Sequence, residues 1–185
     1  MQHLPDVAPQ GIAVVAHPLS TMGGTMDNKV VTTLARAFVE LGYATLRFNF
    51  RSVGESEGHY DEGKGETLDA ITAAEYMRGE FPALPLLTAG FSFGGYVQAC
   101  AAEQIQPQRM VLIAPAVGRF NMPEVASNTL LIQGDMDEVV GMNDVLLWAR
   151  PQQLPILVLP GAGHFFHGRL VQLKQIVLQQ LGCQA

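Results

Sequence analysis

Short apolar runs alternate along the chain with longer runs in which polar residues interrupt the apolar ones. Residues 11–16 are almost continuously apolar, which is typical of a strand buried on both faces of a sheet. The first helical run has Asp27 as its expected N-cap and Gly42 as its expected stop. The sequence predicts strands over 11–16, 43–50, 86–89, 110–114, 129–132 and 155–159, and helices over 28–41, 66–78, 95–103, 145–149 and 169–181.

This strict alternation predicts the α/β class, with a three-layer sandwich built on a mainly parallel sheet. The 185 residues are enough for one domain, so we expect a single domain over 1–185. Ligands of such folds bind beyond the carboxyl ends of the strands. The loops expected on that rim begin at His17, Arg51, Gly134 and Gly161.

Residues 90–94 read Gly-Phe-Ser-Phe-Gly and lie between a predicted strand and a predicted helix. In this Gly-x-Ser-x-Gly pattern the glycines let strand and helix approach each other, while the serine lies on a strained turn. The turn presents the hydroxyl and places the next backbone N–H at a helix N-terminus, where it can stabilise an oxyanion. The context therefore predicts that Ser92 is a nucleophile.

A serine nucleophile needs a histidine to accept its proton and an acid to orient that histidine. His164 lies in a glycine-rich loop directly after strand 155–159 and is the expected base. Its alternative role is to cap the final helix or to fill a polar niche. Asp137 lies in the loop after the preceding strand and is the expected acid, with Asp135 as the alternative. The order Ser92, Asp137, His164 is that of an α/β-hydrolase.

Several polar neighbours of these residues are expected to have structural roles. Asp135 is predicted to tie its turn through hydrogen bonds from side chain to backbone, and Glu138 to face solvent. His17 is expected to shape its own loop. Arg51 is expected to hold its loop, with binding of a substrate carboxylate as the alternative. His167, near the start of the final helix, is the less favoured base.

Two backbone N–H groups are needed for an oxyanion hole. One is expected from Phe93, the residue after the nucleophile. The other is expected from the loop after strand 11–16, where Pro18 has no N–H and Leu19 is the natural donor.

Taken together, these segments resemble the α/β-hydrolase superfamily, and most closely the small bacterial cap-less serine esterases related to dienelactone hydrolases. The resemblance covers about residues 11–170. It implies Ser92 as nucleophile, Asp137 as acid, His164 as base, and a carboxylic ester or related acyl substrate. Dienelactone hydrolases use cysteine as the nucleophile, so the serine argues against that particular activity. The matching segments are 17–19, 47–56, 90–94, 134–137 and 161–164.

Two departures from the common fold are expected. About ten residues precede strand 11–16, so the usual N-terminal antiparallel strand pair is missing or much reduced. Strand 43–50 then becomes a sheet edge, which we expect the N-terminus or a second subunit to cover. Residues 115–128 are too few for a lid domain, so the site is expected to be open and bordered by Phe120 and Met122.

Composition excludes several classes of protein. The formal charge is −6 and no Lys- or Arg-rich run is present, which argues against nucleic acid and an anionic membrane as partners. No signal peptide is recognised, and the two cysteines, Cys100 and Cys183, favour a cytoplasmic protein without disulfides. The acidic segment 51–62 fits no metal-ligand spacing. We expect neither a cofactor nor a metal.

The sequence thus predicts a carboxylesterase-like serine hydrolase that cleaves small esters through a Ser-His-Asp triad, as a monomer or homodimer. The same triad also serves thioesterases, peptidases and acyltransferases, which remain alternatives. A non-catalytic binding protein of the same fold is the least favoured alternative, because all three triad residues and the glycine turn are present. The fold alone would not exclude it, since function resides in the site.

Overall fold

A computed structural model describes residues 1–182 of the chain and contains one seven-stranded sheet. Cys183 lies outside the described residues. The strands are β1 (Gln2–His3), β2 (Gly11–Ala16), β3 (Tyr43–Arg47), β4 (Leu86–Phe91), β5 (Arg109–Ile113), β6 (Leu130–Gly134) and β7 (Ile156–Leu159). The helices are α1 (Lys29–Glu40), α2 (Lys64–Glu80), α3 (Phe93–Ile105), α4 (Met142–Ala149) and α5 (Leu170–Gly182).

The strand order is β1-β3-β2-β4-β5-β6-β7, and β2 to β7 run parallel. Strands β2 and β4 lie at the centre, where Val14 is paired with Leu46 on one side and Thr88 on the other. Every residue of these two strands is buried, as the continuous apolar run of 11–16 predicts. The mainly parallel α/β fold is confirmed.

Helices cover both faces of the sheet. Ala13 and Val15 pack in a core with α1 and α5, whereas Ile12 and Val14 point to the other face and pack with α2 and α3. A third cluster places α4 against β5 and β6. Among the helices of residues 1–182, none combines the length and the apolar character of a membrane span.

The N-terminal strand pair is reduced to one short strand. Strand β1 pairs antiparallel with β3, with Gln2 opposite Leu46 and His3 opposite Thr45. The N-terminal segment therefore covers the edge of β3, which is one of the two expected arrangements. Between Ile113 and Leu130 the chain forms turns with a single isolated bridge, so no lid domain is inserted there.

Two local predictions are corrected. The N-cap of α1 is Asn28, whose Oδ1 accepts a hydrogen bond from the Val30 N–H at 2.8 Å, whereas Asp27 pairs with Arg47 at 3.0 Å. Strand β3 ends at Arg47 and not at residue 50. After Arg47 the backbone no longer pairs with a neighbouring strand. The Phe50 N–H, for example, donates to the ring of His17 instead of to a strand carbonyl.

Candidate active site

Ser92 lies on the tight turn between β4 and α3. Its φ is +54° and its ψ is −117°, a strained conformation for a residue with a side chain. A Cβ on Gly90 would collide with the backbone of Gly94, and a Cβ on Gly94 would collide with the backbone of Ala16. The two glycines therefore let α3 begin directly above β4 and β2, which is the role that the sequence pattern predicts for them.

The structure brings Ser92, His164 and Asp137 together in one hydrogen-bonded chain. His164 Nε2 is 3.0 Å from Ser92 Oγ, and His164 Nδ1 is 2.8 Å from Asp137 Oδ2. Because a carboxylate only accepts, Nδ1 carries a proton and donates to Asp137, which leaves Nε2 of a neutral ring to accept the serine O–H. This is the arrangement in which histidine can remove a proton from serine.

Asp137 is held by four donors. Its Oδ1 accepts the N–H groups of Val139 at 2.9 Å and Val140 at 2.7 Å, and its Oδ2 accepts from His164 and from Gln133 Nε2 at 3.0 Å. Burial by itself raises the pKa of this carboxyl, but the hydrogen bonds from His164, Val140 and Val139 outweigh burial and leave the pKa below its ordinary value. Asp137 therefore stays ionised beside the histidine.

Gln133 was not identified by sequence reasoning. It is completely buried near the end of β6, and its Nε2 also donates to the carbonyl of Val140 at 3.0 Å. The amide thus ties the loop of the acid to the strand before it. The available signal was a single polar residue at the end of an otherwise apolar strand, four positions before Asp137.

The alternative acid and base lie elsewhere. Asp135 Oδ1 accepts the N–H of Gly161 at 2.6 Å, so this carboxylate ties the loop after β6 to the loop after β7. Glu138 is exposed, as predicted. His167 is also exposed and stacks on Phe165, with ring centroids 5.8 Å apart.

The two residues predicted to supply the N–H groups of an oxyanion hole, Leu19 and Phe93, both line the cavity at Ser92. Phe93 is the first residue of α3, where backbone N–H groups lack an intrahelical acceptor. Leu19 precedes a 3₁₀ turn over Ser20–Met22. Within residues 1–182 neither N–H donates to a protein acceptor, so both are available to an oxygen atom bound next to Ser92.

His17 has a structural environment. The ring is fully buried, its Nδ1 lies 2.6 Å from the carbonyl of Pro18, and its Nε2 accepts the Phe50 N–H at 3.0 Å. These partners fix the neutral tautomer with the proton on Nδ1. Burial lowers the pKa of His17 to about 4, although the hydrogen bond to Pro18 opposes the shift. His17 therefore fastens the loop of Leu19 to the chain after β3.

A cavity of about 240 Å³ opens beside Ser92. Phe120 borders it as expected, but Met122 does not, because its side chain is buried in the cluster beneath α4. A larger depression of about 770 Å³ between the N-terminal segment and α1 contains none of the three hydrogen-bonded residues. The cavity at Ser92 is lined by Pro18, Leu19, Met22, Gly23, Gly24, Asn28, Ser92, Phe93, Ala116, Arg119, Phe120, Val139, His164 and Phe165.

Arg51 and the acidic segment after it lie apart from this cavity. The Arg51 guanidinium pairs with Asp69 at 2.9 Å, which is the structural role expected for it. In the part of the chain that the structure describes, no three His, Cys, Asp or Glu side chains form a group that could hold a metal ion.

Comparison with known proteins places the chain among serine hydrolases. XC6422 from Xanthomonas campestris, described as an α/β serine hydrolase without a lid, is 44% identical with a TM-score of 0.92; the match covers 98% of this chain and 86% of that one. The uncharacterized protein RP471 of Rickettsia prowazekii (strain Madrid E) is 31% identical over 90% of this chain and 76% of its own.

A more distant solved structure shares the fold. Est1E from Butyrivibrio proteoclasticus, with ferulic acid bound, has a TM-score of 0.81 at 16% identity, covering 97% of this chain and 92% of that one. The model of one family, described as serine aminopeptidase, S33 (Hydrolase_4), matches residues 8–130, about two thirds of the chain. The matched span contains Ser92 but neither Asp137 nor His164. The chain therefore belongs to this family of serine hydrolases with the α/β-hydrolase fold.

Proposed function

We propose that the protein hydrolyses small carboxylic esters through an acyl-enzyme on Ser92. The observation that carries the proposal is the continuous hydrogen-bonded chain from Ser92 Oγ through His164 to Asp137, at 3.0 Å and 2.8 Å. These residues come from three separate loops. Their meeting in one chain, next to a cavity, supports a catalytic role rather than three independent structural ones.

In the first half-reaction, His164 Nε2 accepts the proton of Ser92 while Oγ attacks the acyl carbon. The carbonyl oxygen becomes an oxyanion next to the N–H groups of Leu19 and Phe93. Asp137 remains ionised and stabilises the imidazolium. His164 then gives its proton to the leaving oxygen, the ester C–O bond breaks, and an alcohol departs from the acyl-enzyme.

In the second half-reaction, water takes the place of the alcohol. His164 accepts a proton from the water as its oxygen attacks the acyl carbon, and the same two N–H groups hold the second oxyanion. The bond to Ser92 Oγ breaks, and the proton returns from His164 to Oγ. A carboxylic acid leaves and the free serine is regenerated.

The lining of the cavity favours esters over the aminopeptidase activity in the family description. An aminopeptidase has to bind the positively charged amino terminus of its substrate, for which a carboxylate is the natural partner. Among the described residues, no Asp or Glu lines the cavity, and Arg119, which does, carries the wrong sign of charge. Thioester hydrolysis and acyl transfer use the same steps and remain alternatives.

The test compares two substrates on three proteins. Wild type is expected to hydrolyse p-nitrophenyl acetate far faster than alanine p-nitroanilide. Ser92→Ala is expected to lower kcat/KM for the ester by at least about 10⁴-fold, because the nucleophile is removed. Ser127→Ala, at an exposed serine outside the cavity, is the matched control and should keep full activity. Equal ester turnover by wild type and Ser92→Ala would refute the proposal, and faster cleavage of the anilide would favour a peptidase.

A further inference from the structure

The cavity has few charged and polar side chains, and among the described residues none of them is a carboxylate. Apart from Ser92 and His164, those that line it in the described chain are Arg119 and Asn28. We infer that the substrate is an ester that carries a carboxylate, and that Arg119 binds this carboxylate. This inference rests on the proposed function, since it names the substrate class of the same site.

Arg119 is held at the cavity by a fixed turn. Its backbone N–H donates to the carbonyl of Ala116 at 3.4 Å, and the N–H of Phe120 donates to the same carbonyl at 3.3 Å. The Phe120 ring stacks on Tyr96, with centroids 4.7 Å apart, and packs against Phe93 at 5.2 Å. The turn that carries Arg119 is thus anchored to α3, the helix that follows the nucleophile, through the next residue, Phe120.

The guanidinium of Arg119 is free to bind a ligand. Within residues 1–182 it forms no ion pair and donates no hydrogen bond, and the residue is exposed. Arg47 and Arg51, by contrast, pair with Asp27 and Asp69. A guanidinium offers a planar fork of donors that matches a carboxylate, so an unengaged one at the mouth of a catalytic cavity selects for that group.

Asn28 adds a second donor. Its Oδ1 is committed to the Val30 N–H, which fixes the orientation of the amide. Its NH₂ group therefore faces away from that N–H and has no acceptor in the described part of the chain. Arg119 and Asn28 thus offer hydrogen-bond donors to the carboxylate of a substrate. No Asp or Glu among the described residues lines the cavity to repel it.

The small volume of the cavity restricts where the carboxylate lies. About 240 Å³ is below the range of roughly 300–1,000 Å³ that is usual for drug-sized ligands, so the substrate has few atoms between its ester and its charge. The carboxylate belongs either to the acyl part or to the alcohol part. A pair of esters that differ only in charge tests each of these cases.

For the alcohol side the pair is 4-acetoxybenzoate and 4-acetoxybenzamide. For the acyl side it is the mono-4-nitrophenyl ester of fumaric acid and that of fumaramic acid, whose trans geometry prevents attack by the carboxylate on its own ester. The ratio of kcat/KM for the charged ester over the neutral one is measured for wild type, Arg119→Gln and Arg36→Gln. The intrinsic reactivities cancel when the ratios of two proteins are compared.

Arg119→Gln is expected to lower the ratio by about five- to tenfold in one of the two pairs, since a charge-assisted hydrogen bond is lost at a solvent-exposed site. Arg36→Gln removes the same charge from an exposed position on α1 outside this cavity and should leave both ratios as in wild type. Added salt should reduce the preference of wild type but not that of Arg119→Gln.

Unchanged ratios in Arg119→Gln for both pairs would overturn the inference while leaving ester hydrolysis intact. An equal loss in Arg36→Gln would also overturn it, because the effect would then come from net charge alone. Failure of the proposed function has a different signature, which is the absence of Ser92-dependent turnover of all four esters.

Discussion

Two buried histidines, His17 and His164, follow strands of the same parallel sheet. Both side chains are buried, and in both rings each of the two nitrogens has a hydrogen-bond partner. The partners of His17 are backbone groups, a carbonyl and an N–H. The partners of His164 are the side chains of Asp137 and Ser92. The partners of His17 therefore hold its neutral ring in one tautomer, while His164 lies between an ionised acid and a hydroxyl that can give up a proton.

The comparison shows that burial and residue type do not identify a base. A base needs an acceptor nitrogen directed at the proton to be moved, and a charge that favours the protonated ring. His17 lacks both, because its Nε2 is occupied by the Phe50 N–H and no carboxylate accepts from its Nδ1.

The largest effect is expected from removing the proposed base. His164→Ala should lower kcat/KM for p-nitrophenyl acetate by on the order of 10⁴-fold or more, because Ser92 then has no proton acceptor. Steady-state kinetics with His167→Ala as the control checks this, since that exposed ring should be dispensable. If His167→Ala had the larger effect, the base would be wrongly assigned.

Asp137→Asn is expected to lower kcat by about 10³- to 10⁴-fold, since an amide cannot stabilise the imidazolium and would favour the wrong tautomer. The matched variant is Asp135→Asn, whose oxygen can still accept the Gly161 N–H. Its activity should remain within a few-fold of wild type. A larger loss in Asp135→Asn would transfer the role of acid to that residue.

His17 is expected to make stability depend on pH. Its native pKa of about 4 lies below the ordinary value of 6.5, so the unfolded chain binds the proton more readily. Stability is therefore lost as pH falls from 6.5 toward 4, by about 3 kcal/mol in total. Urea unfolding of wild type and His17→Gln at pH 7 and pH 4 measures this loss.

At pH 7 wild type should have a larger free energy of unfolding than His17→Gln. At pH 4 this difference should be smaller by most of the roughly 3 kcal/mol. Because every other titrating group is shared, the difference between the two proteins isolates His17. A difference in stability that does not change with pH would mean that the pKa of His17 is the same in the folded and unfolded chains.

Gln133→Met should have the smallest effect. The substitution keeps the apolar length but removes the donor to Asp137 Oδ2, so kcat should fall by about tenfold with KM nearly unchanged. The acid limb of the pH–kcat profile should also move upward, because the carboxylate loses one of its four donors. A loss of stability without a change in this profile would reduce Gln133 to a packing residue.

The sequence predicted the order of strands and helices because buried parallel strands leave continuous apolar runs that stand out from the helices. It also predicted the places of Ser92 and His164, since each follows such a run within a glycine-rich turn. The hydrogen-bond and ion-pair partners of individual side chains are harder to predict from the sequence. The N-cap of α1 was assigned one residue too early because Asp27 and Asn28 are both good caps, and only the ion pair with Arg47 separates them.

Gln133 and Arg119 were missed for a related reason. A glutamine at a strand end and an arginine in a turn are ordinary residues until the fold shows what they face. Gln133 faces the carboxylate of Asp137, and Arg119 faces the cavity. Contacts between loops that are distant in sequence leave no periodic signal, so the structure was needed to find them.

Activation of Ser92 by His164 underlies the whole proposed reaction. The most direct measurement is the labelling of the folded protein with a fluorophosphonate, followed by mass mapping of the peptides. We expect one adduct, on the peptide that contains Ser92, and a labelling rate that falls sharply in His164→Ala. A folded wild type that gives no adduct at Ser92, or that labels as fast without His164, would contradict it.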